Sequence, residues 1–286
     1  MSDAHLSPAP TALAAELRLA RRLARQAGAL VVAIRDGGAL GVEHKAGDEP
    51  VTVADRAASE LIVAGLEAAF PDDVVISEER AIDPADASRA GARVWLVDPI
   101  DGTKDFIRGT EGFAVMIGLI IDGRPALGVV YQPTRGGTFW AAPGLGAWLC
   151  LGDGPPRRLT VQPVADVEHL RLVASASHRT AAIDEIKTAL GITNEHNIGS
   201  VGIKLALIAL GERDLYVNPS SRCKAWDTCA PEAILVAAGG TMTDARGELL
   251  PYDRIDLGRP KGLVACGRDI LPVVLARLAT LPLFRR

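Results

Sequence analysis

The chain has 286 residues, enough for one large globular unit or two fused layers of ordinary domain size. Hydrophobic residues make up 48% and charged residues 23%, proportions that exclude wholesale disorder. The 35 acids and 31 bases leave a net charge of -4, and with no basic run this excludes a nucleic-acid polymer as partner. Gly, Pro or charge interrupts every apolar stretch within about 12 residues, short of the ~20 a membrane span needs. Residues 1–10 lack the basic-then-apolar order of a secretory signal. Cys150, Cys223, Cys229 and Cys266 have no paired spacing, which argues against a disulfide framework or a zinc site. These bounds describe a soluble, cytoplasmic protein.

Residues 11–36 predict a helix, with Leu13, Leu17, Ala20, Ala24, Ala27, Val31 and Ile34 at three- and four-residue steps and a Gly37-Gly38 stop. A second helix is expected from Ala54 to Phe70, closed by Pro71. The pattern then turns to β. Val74–Ser77 and Val94–Val97 are short apolar runs that end abruptly in carboxylates. Phe113–Ile121 and Ala126–Tyr131, joined through Asp122-Gly123, predict an antiparallel hairpin, and 138–141 and 146–151 extend that sheet. The Pro-Gly-rich stretch 152–163 is the expected junction between an N-terminal α+β domain, 1–162, and a C-terminal α/β domain, 163–286. Beyond it strands near 170–174, 198, 215–217, 241–243 and 262–266 alternate with helices at 181–190, 201–210, 228–238 and 270–281, an α/β layout.

The acids carry the chemistry. Asp98-Pro99-Ile100-Asp101-Gly102-Thr103 follows directly on a buried strand, where α/β folds usually bind ligands. Three-residue spacing across a proline bend lets Asp98 and Asp101 converge, and Ile100 can offer its carbonyl oxygen. Carboxylates plus a carbonyl are what a hard cation such as Mg²⁺ takes. Gly102 and Thr103 would open a turn whose amides face an anion. Glu78-Glu79 ends another buried strand, and Asp227 precedes an apolar helix. Each acid has a plainer explanation: an Asx turn for Asp98 and Asp101, a solvated turn for Glu78-Glu79, an N-cap for Asp227, helix-dipole stabilisation for Asp55. Together they repel unless a cation binds.

The set Asp55, Glu78-Glu79, Trp95 to Thr103 and Trp226-Asp227 resembles the inositol monophosphatase superfamily of Mg²⁺-dependent, lithium-sensitive phosphomonoesterases, over roughly residues 11–270. The resemblance implies a layered αβαβα sandwich and two or three Mg²⁺ ions held by Glu78, Asp98, the Ile100 carbonyl, Asp101 and Asp227. It also implies water activation by Asp55 and Thr103, phosphate held by the Gly102 and Thr103 amides, and often a homodimer. Lys224 to Leu235 and Gly102 to Phe106 are similar to the 3'(2'),5'-bisphosphate nucleotidase branch, in which Ser175, His178, Ser200 and Lys204 sit at nucleotide-contact positions. Inositol phosphatases carry a Glu seven residues before the aspartate of Trp-Asp; here that position is Ser220. Animal nucleotidases carry a second lysine where Ala225 stands.

The expected activity is hydrolysis of the 3'-phosphate of 3'-phosphoadenosine 5'-phosphate by metal-activated water, with inositol-1-phosphate hydrolysis as runner-up. A non-catalytic Mg²⁺-dependent anion sensor is the alternative of another class, although a pure binder needs no water-activating pair. Outside the resemblance, His178 reads as a surface or structural residue, Lys204 as a solvated helix lysine, Trp226 as packing beside the site, and Cys223 and Cys229 as inert.

Overall fold

A computed structural model describes residues 12–45, 49–81, 93–164, 166–177, 179–220, 223–252 and 262–285. The long helix α1 (Ala14–Asp36) and α2 (Val53–Ala69) pack side by side, and between them a small ribbon, β1 (Glu43–His44) and β2 (Pro50–Val51), pairs antiparallel. A seven-stranded sheet follows in chain order: β3 (Val74–Ser77), β4 (Val94–Asp101), β5 (Ala114–Ile121), β6 (Arg124–Gln132), β7 (Gly137–Ala142), β8 (Gly146–Leu151) and β9 (Arg157–Leu159). Only β3 and β4 in it run parallel. The short helix α3 (Thr103–Ile107) leaves the end of β4.

The second sheet has five strands: β10 (Arg171–Ser175), β11 (Asn194–Ile198), β12 (Leu215–Asn218), β13 (Gly240–Thr243) and β14 (Leu263–Gly267), ordered β11-β10-β12-β14-β13. Helices α4 (Ala181–Leu190), α5 (Val201–Ala209), α6 (Ala225–Ala237) and α7 (Leu271–Leu278) complete the chain.

Side-chain alternation along the strands builds the layers. On β4 and β5, Trp95, Val97, Val115, Ile117 and Leu119 face α1 and α2. Leu96, Ala114 and Met116 face the other way, onto α5, α6 and the inner face of the second sheet, where Tyr216, Leu263 and Ala265 meet them. Leu172, Leu215, Val217 and Val264 point outward onto α4 and α7. Helix, sheet, helix, sheet, helix is therefore the layering, with the largest core between the sheets. Helix α6 lies unusually close to the first sheet: a Cβ on Gly128 would stand 2.1 Å from the Ala230 carbonyl oxygen.

Several boundaries differ from the sequence expectation. Strand β4 does not stop at Val97 but runs to Asp101, because a bulge absorbs Pro99: Asp98 pairs with Met116 and Asp101 with Ala114, so three steps on β4 oppose two on β5. A proline is tolerated at such a bulge, where the ladder bond is already lost. Helix α6 begins at Ala225 rather than Thr228, and α7 ends at Leu278 rather than Leu281. The expected junction contains the edge strand β9. The hairpin turn is as expected, with Asp122 and Gly123 both at positive φ, the conformation a two-residue type I′ turn requires.

Candidate active site

The bulge at Pro99-Ile100 decides where the acids point. In a regular strand residues three apart face opposite sides; the extra residue puts Asp98 and Asp101 on the same side as their partners Met116 and Ala114. The Ile100 amide donates to Asp98 Oδ1 at 3.1 Å, closing the bend. Gly102 follows with φ +94°, and a Cβ there would lie 2.5 Å from the Gly112 carbonyl oxygen. Only glycine meets both demands.

Asp98, Ile100, Asp101, Gly102 and Thr103 line a cleft of about 200 Å³, together with Glu78 and Asp227. It lies beyond the carboxyl ends of β3 and β4 in one sheet and of β10 and β12 in the other, the usual place for a ligand in open α/β sheets. Glu78 is the residue after β3, its amide donating to the Val97 carbonyl at 3.1 Å. Asp227 is not the N-cap of α6. It stands in the first turn, with the Lys224 amide donating to its Oδ2 at 2.7 Å.

Asp55 sits behind this wall, 2% exposed, in the first turn of α2. Its Oδ2 accepts from the Thr52 amide (2.7 Å) and hydroxyl (2.6 Å), a capping box. Oδ1 is left for the Thr103 hydroxyl, at 3.3 Å; the same hydroxyl lies 3.1 Å from the Ile100 carbonyl oxygen. Burial, only partly offset by the bonds from Thr52, pushes the Asp55 carboxyl up to about 6. Asp98 is also pushed well above the usual carboxylate range, first by burial and then by the charges of Glu78, Asp101, Asp227 and Asp55. Glu78, Asp101 and Asp227 are raised too, in each case chiefly by burial.

The remaining expected residues divide. Ser175, at the end of β10, lines the cleft. Ser200 does not: it is fully buried, its hydroxyl donating to Asp101 Oδ2 at 2.5 Å and capping α5 by accepting from the Ile203 amide. The Gly202 amide adds a bond to the same Asp101 oxygen. The resemblance placed Ser200 near the site without showing that Asp101 consumes it, and a serine at an N-cap is in any case common. Lys204 is not the solvated lysine that its helix suggested. It is 1% exposed, donates to the Gly199 carbonyl, lies over the Tyr216 ring, and burial lowers its pKa against the opposing pull of Asp101. His178 lies outside the described residues. Cys223 is buried, its thiol pushed up by burial, and Trp226 borders the cleft while packing on the central core.

Sequence reasoning passed over Lys45, whose ammonium bridges Glu78 and Glu79, and Glu49, at the mouth of the cleft. Neither stands in a motif; the β1–β2 ribbon brings them in. It also gave no role to Lys104 and Lys224, although both lie inside the quoted motifs and both line the cleft.

The donor chemistry fits a hard divalent cation: mutually repelling carboxylates and a carbonyl oxygen on one wall. Among the described residues no three His, Cys, Asp or Glu side chains are already drawn to the spacing of a finished ligand cage; what they form is a shared acidic cleft. No helix among the described residues is long and apolar enough to cross a membrane.

Comparison with known proteins agrees with this layout. The 3'(2'),5'-bisphosphate nucleotidase CysQ of Salmonella typhimurium is 40% identical over 238 residues, 81% of this chain and 91% of its own length. A histidinol-phosphatase of Chlorobaculum parvum is 33% identical, covering 91% of this chain and 96% of its own. The crystal structure of CysQ from Bacteroides thetaiotaomicron, described as a bacterial member of the inositol monophosphatase family, superposes with a TM-score of 0.72 at 31% identity, over 89% of this chain and 98% of that one. The family model for inositol monophosphatases matches residues 13–280, and the chain belongs to the inositol monophosphatase family.

Proposed function

We propose that this protein is a metal-dependent phosphomonoesterase that removes the 3'-phosphate of a 3'(2'),5'-bisphosphate nucleotide such as 3'-phosphoadenosine 5'-phosphate. The nucleotidases among its relatives support the substrate class. The observation that carries the reaction class is the contact between the Thr103 hydroxyl and Asp55 Oδ1 at 3.3 Å, directly beside the acidic cleft. A sensor needs acids to bind metal and amides to bind an anion, but gains nothing from a hydroxyl tied to a carboxyl whose pKa has risen to about 6, close to where a general base works best.

Glu78, Asp98, Asp101, Asp227 and the Ile100 carbonyl would hold the metal, in the family typically Mg²⁺. When bound it supplies Lewis acidity, lowering the pKa of water and countering phosphate charge. The side chains do the rest. Thr103 orients a water through its hydroxyl, and Asp55 receives the proton by way of that hydroxyl. Thr52 pins the other Asp55 oxygen, so the accepting oxygen stays aimed at Thr103. Ser200 and Gly202 fix Asp101 in the same manner. The amides of Gly102 and Thr103, at the start of α3, meet the charge that develops on the phosphoryl oxygens.

The test is a comparison of kcat/KM under Mg²⁺ for 3'-phosphoadenosine 5'-phosphate, inositol 1-phosphate, fructose 1,6-bisphosphate and histidinol phosphate. Preference for the nucleotide by an order of magnitude or more is expected. Preference for one of the others overturns the substrate assignment, and phosphate release from none of them overturns the enzyme class.

A further inference from the structure

We propose that Lys104 and Lys224 form the subsite for the second, unreacting phosphate of the bisphosphate. This rests on the nucleotidase assignment above and extends it to the feature that separates a bisphosphate from a monophosphate.

The cleft carries charges of both signs. The acids Glu78, Asp98, Asp101 and Asp227 lie on the wall where the scissile phosphate is expected, with Glu49 at the mouth. Three lysines line the same cleft: Lys104, Lys204 and Lys224. Lys204 is committed to the interior, bonded to the Gly199 carbonyl and almost fully buried. Elsewhere the described lysines are spent on acids, Lys45 on Glu78 and Glu79 and Lys187 on Glu195. Lys104 and Lys224 differ, since neither is in an ion pair among the described residues. A cleft whose acids await a cation, and which also presents two lysines that balance none of those acids through contact, is built for a ligand with anionic groups at two places.

Position agrees with this. Lys104 follows Thr103 on α3 and Lys224 precedes α6, so they flank the reaction wall from two sides. Both side chains line the cleft, so each brings an ammonium on a long flexible stem to it. Ser220 lines the cleft as well, with its hydroxyl and amide both donating to Asn218 Oδ1, at 2.8 and 2.9 Å. A point charge on a flexible stem suits a terminal phosphate that need not be held in one orientation.

Two substrates sharing the scissile bond read this out: 3'-phosphoadenosine 5'-phosphate and adenosine 3'-phosphate, assayed with Mg²⁺ for the wild type, K104A, K224A and the double variant. The wild type is expected to prefer the bisphosphate. Each single variant should raise KM for it about tenfold to a hundredfold, the worth of one charge-assisted hydrogen bond, with a much smaller effect on kcat, and the double variant should erase the preference. Adenosine 5'-phosphate, the product that keeps the second phosphate, should inhibit the wild type and lose its grip on the double variant. If the wild type prefers the bisphosphate and the double variant keeps both that preference and the product inhibition, the subsite is refuted while the nucleotidase assignment stands. A wild type with no preference for the bisphosphate overturns the assignment and the subsite together.

Discussion

Replacing Asp55 with Asn separates catalysis from stability in a way that only a functional acid does. Asn keeps an oxygen for the Thr52 amide and hydroxyl and turns its amide toward Thr103, so the local bonding survives. What disappears is a carboxyl held at about 6 instead of 3.8. A raised acid stabilises the fold only while the unfolded chain would also be protonated. As pH climbs from about 4 to above 6, the unfolded state releases its proton first, and stability falls. The shift of 6 less 3.8, or 2.2, corresponds to about 3 kcal/mol at neutral pH, and at roughly 2–4 °C per kcal/mol this is some 6–12 °C in melting temperature. Thermal melts in chelator should therefore show D55N matching the wild type near pH 4 and exceeding it by that margin at pH 7.5, while kcat with Mg²⁺ falls by at least about a hundredfold. The other acids titrate in both proteins, so the difference between the two curves belongs to Asp55 together with the smaller push its charge gives Asp98. A variant less stable than the wild type at pH 7.5, with its turnover intact, would show that Asp55 is only the cap of α2.

Other substitutions probe the neighbouring groups. D98N keeps the acceptor for the Ile100 amide at 3.1 Å but removes a charge from the cluster; turnover should drop by several orders of magnitude and the Mg²⁺-induced rise in melting temperature should shrink, while the chelated protein stays folded by circular dichroism. T103A should lower kcat by about a hundredfold or more with the Mg²⁺-induced thermal shift preserved, since its hydroxyl serves Asp55 rather than an ion. G102A meets a left-handed φ of +94° and a carbonyl oxygen 2.5 Å from the new Cβ; denaturant melts should show a loss of about 1–3 kcal/mol or more, accompanied by loss of activity.

Much of this site could be read from sequence because its chemistry is local. Asp98, Ile100, Asp101, Gly102 and Thr103 are contiguous, and a proline between two aspartates after an apolar strand announces a bend that carries ligands. The strand's true end was hidden, because a bulge is set by pairing with β5 and not by β4 alone. Asp227 was found through Trp226-Asp227, but the helix was started three residues late. Pro231 falls seven residues into α6, and a proline ordinarily marks the first turn. The fates of Ser200 and Lys204 were beyond local reasoning. One is buried behind Asp101 and the other between Gly199 and Tyr216, contacts that join α5 to β4 and β12 across the central layer. The Lys45 bridge to Glu78 and Glu79 depends on a two-strand ribbon too short to signal itself.

The long-range step, bringing Asp227 to acids more than a hundred residues earlier, comes down to how deeply α6 sinks onto the first sheet. Gly118 and Gly128 lie side by side on β5 and β6, and a Cβ on either would press into α6, at Cys229 Sγ or the Ala230 carbonyl. Those two contact residues follow Asp227 within one turn of the helix. A groove cut by two glycines thus lowers the first turn of α6 toward the sheet that carries Asp98 and Asp101, and the apolar residues behind it, Ile234 and Leu235 among them, hold it there. The burial that raises every one of these acids, with repulsion from neighbouring carboxylates adding to it at Glu78, Asp98 and Asp227, opposes this packing. Such an arrangement persists in a folded protein only because the central hydrophobic layer outweighs it, and it becomes favourable in its own right once a cation enters. Stability sacrificed at one point of an otherwise consistent fold is what a catalytic site costs, and here the sacrifice falls on the residues that the reaction needs.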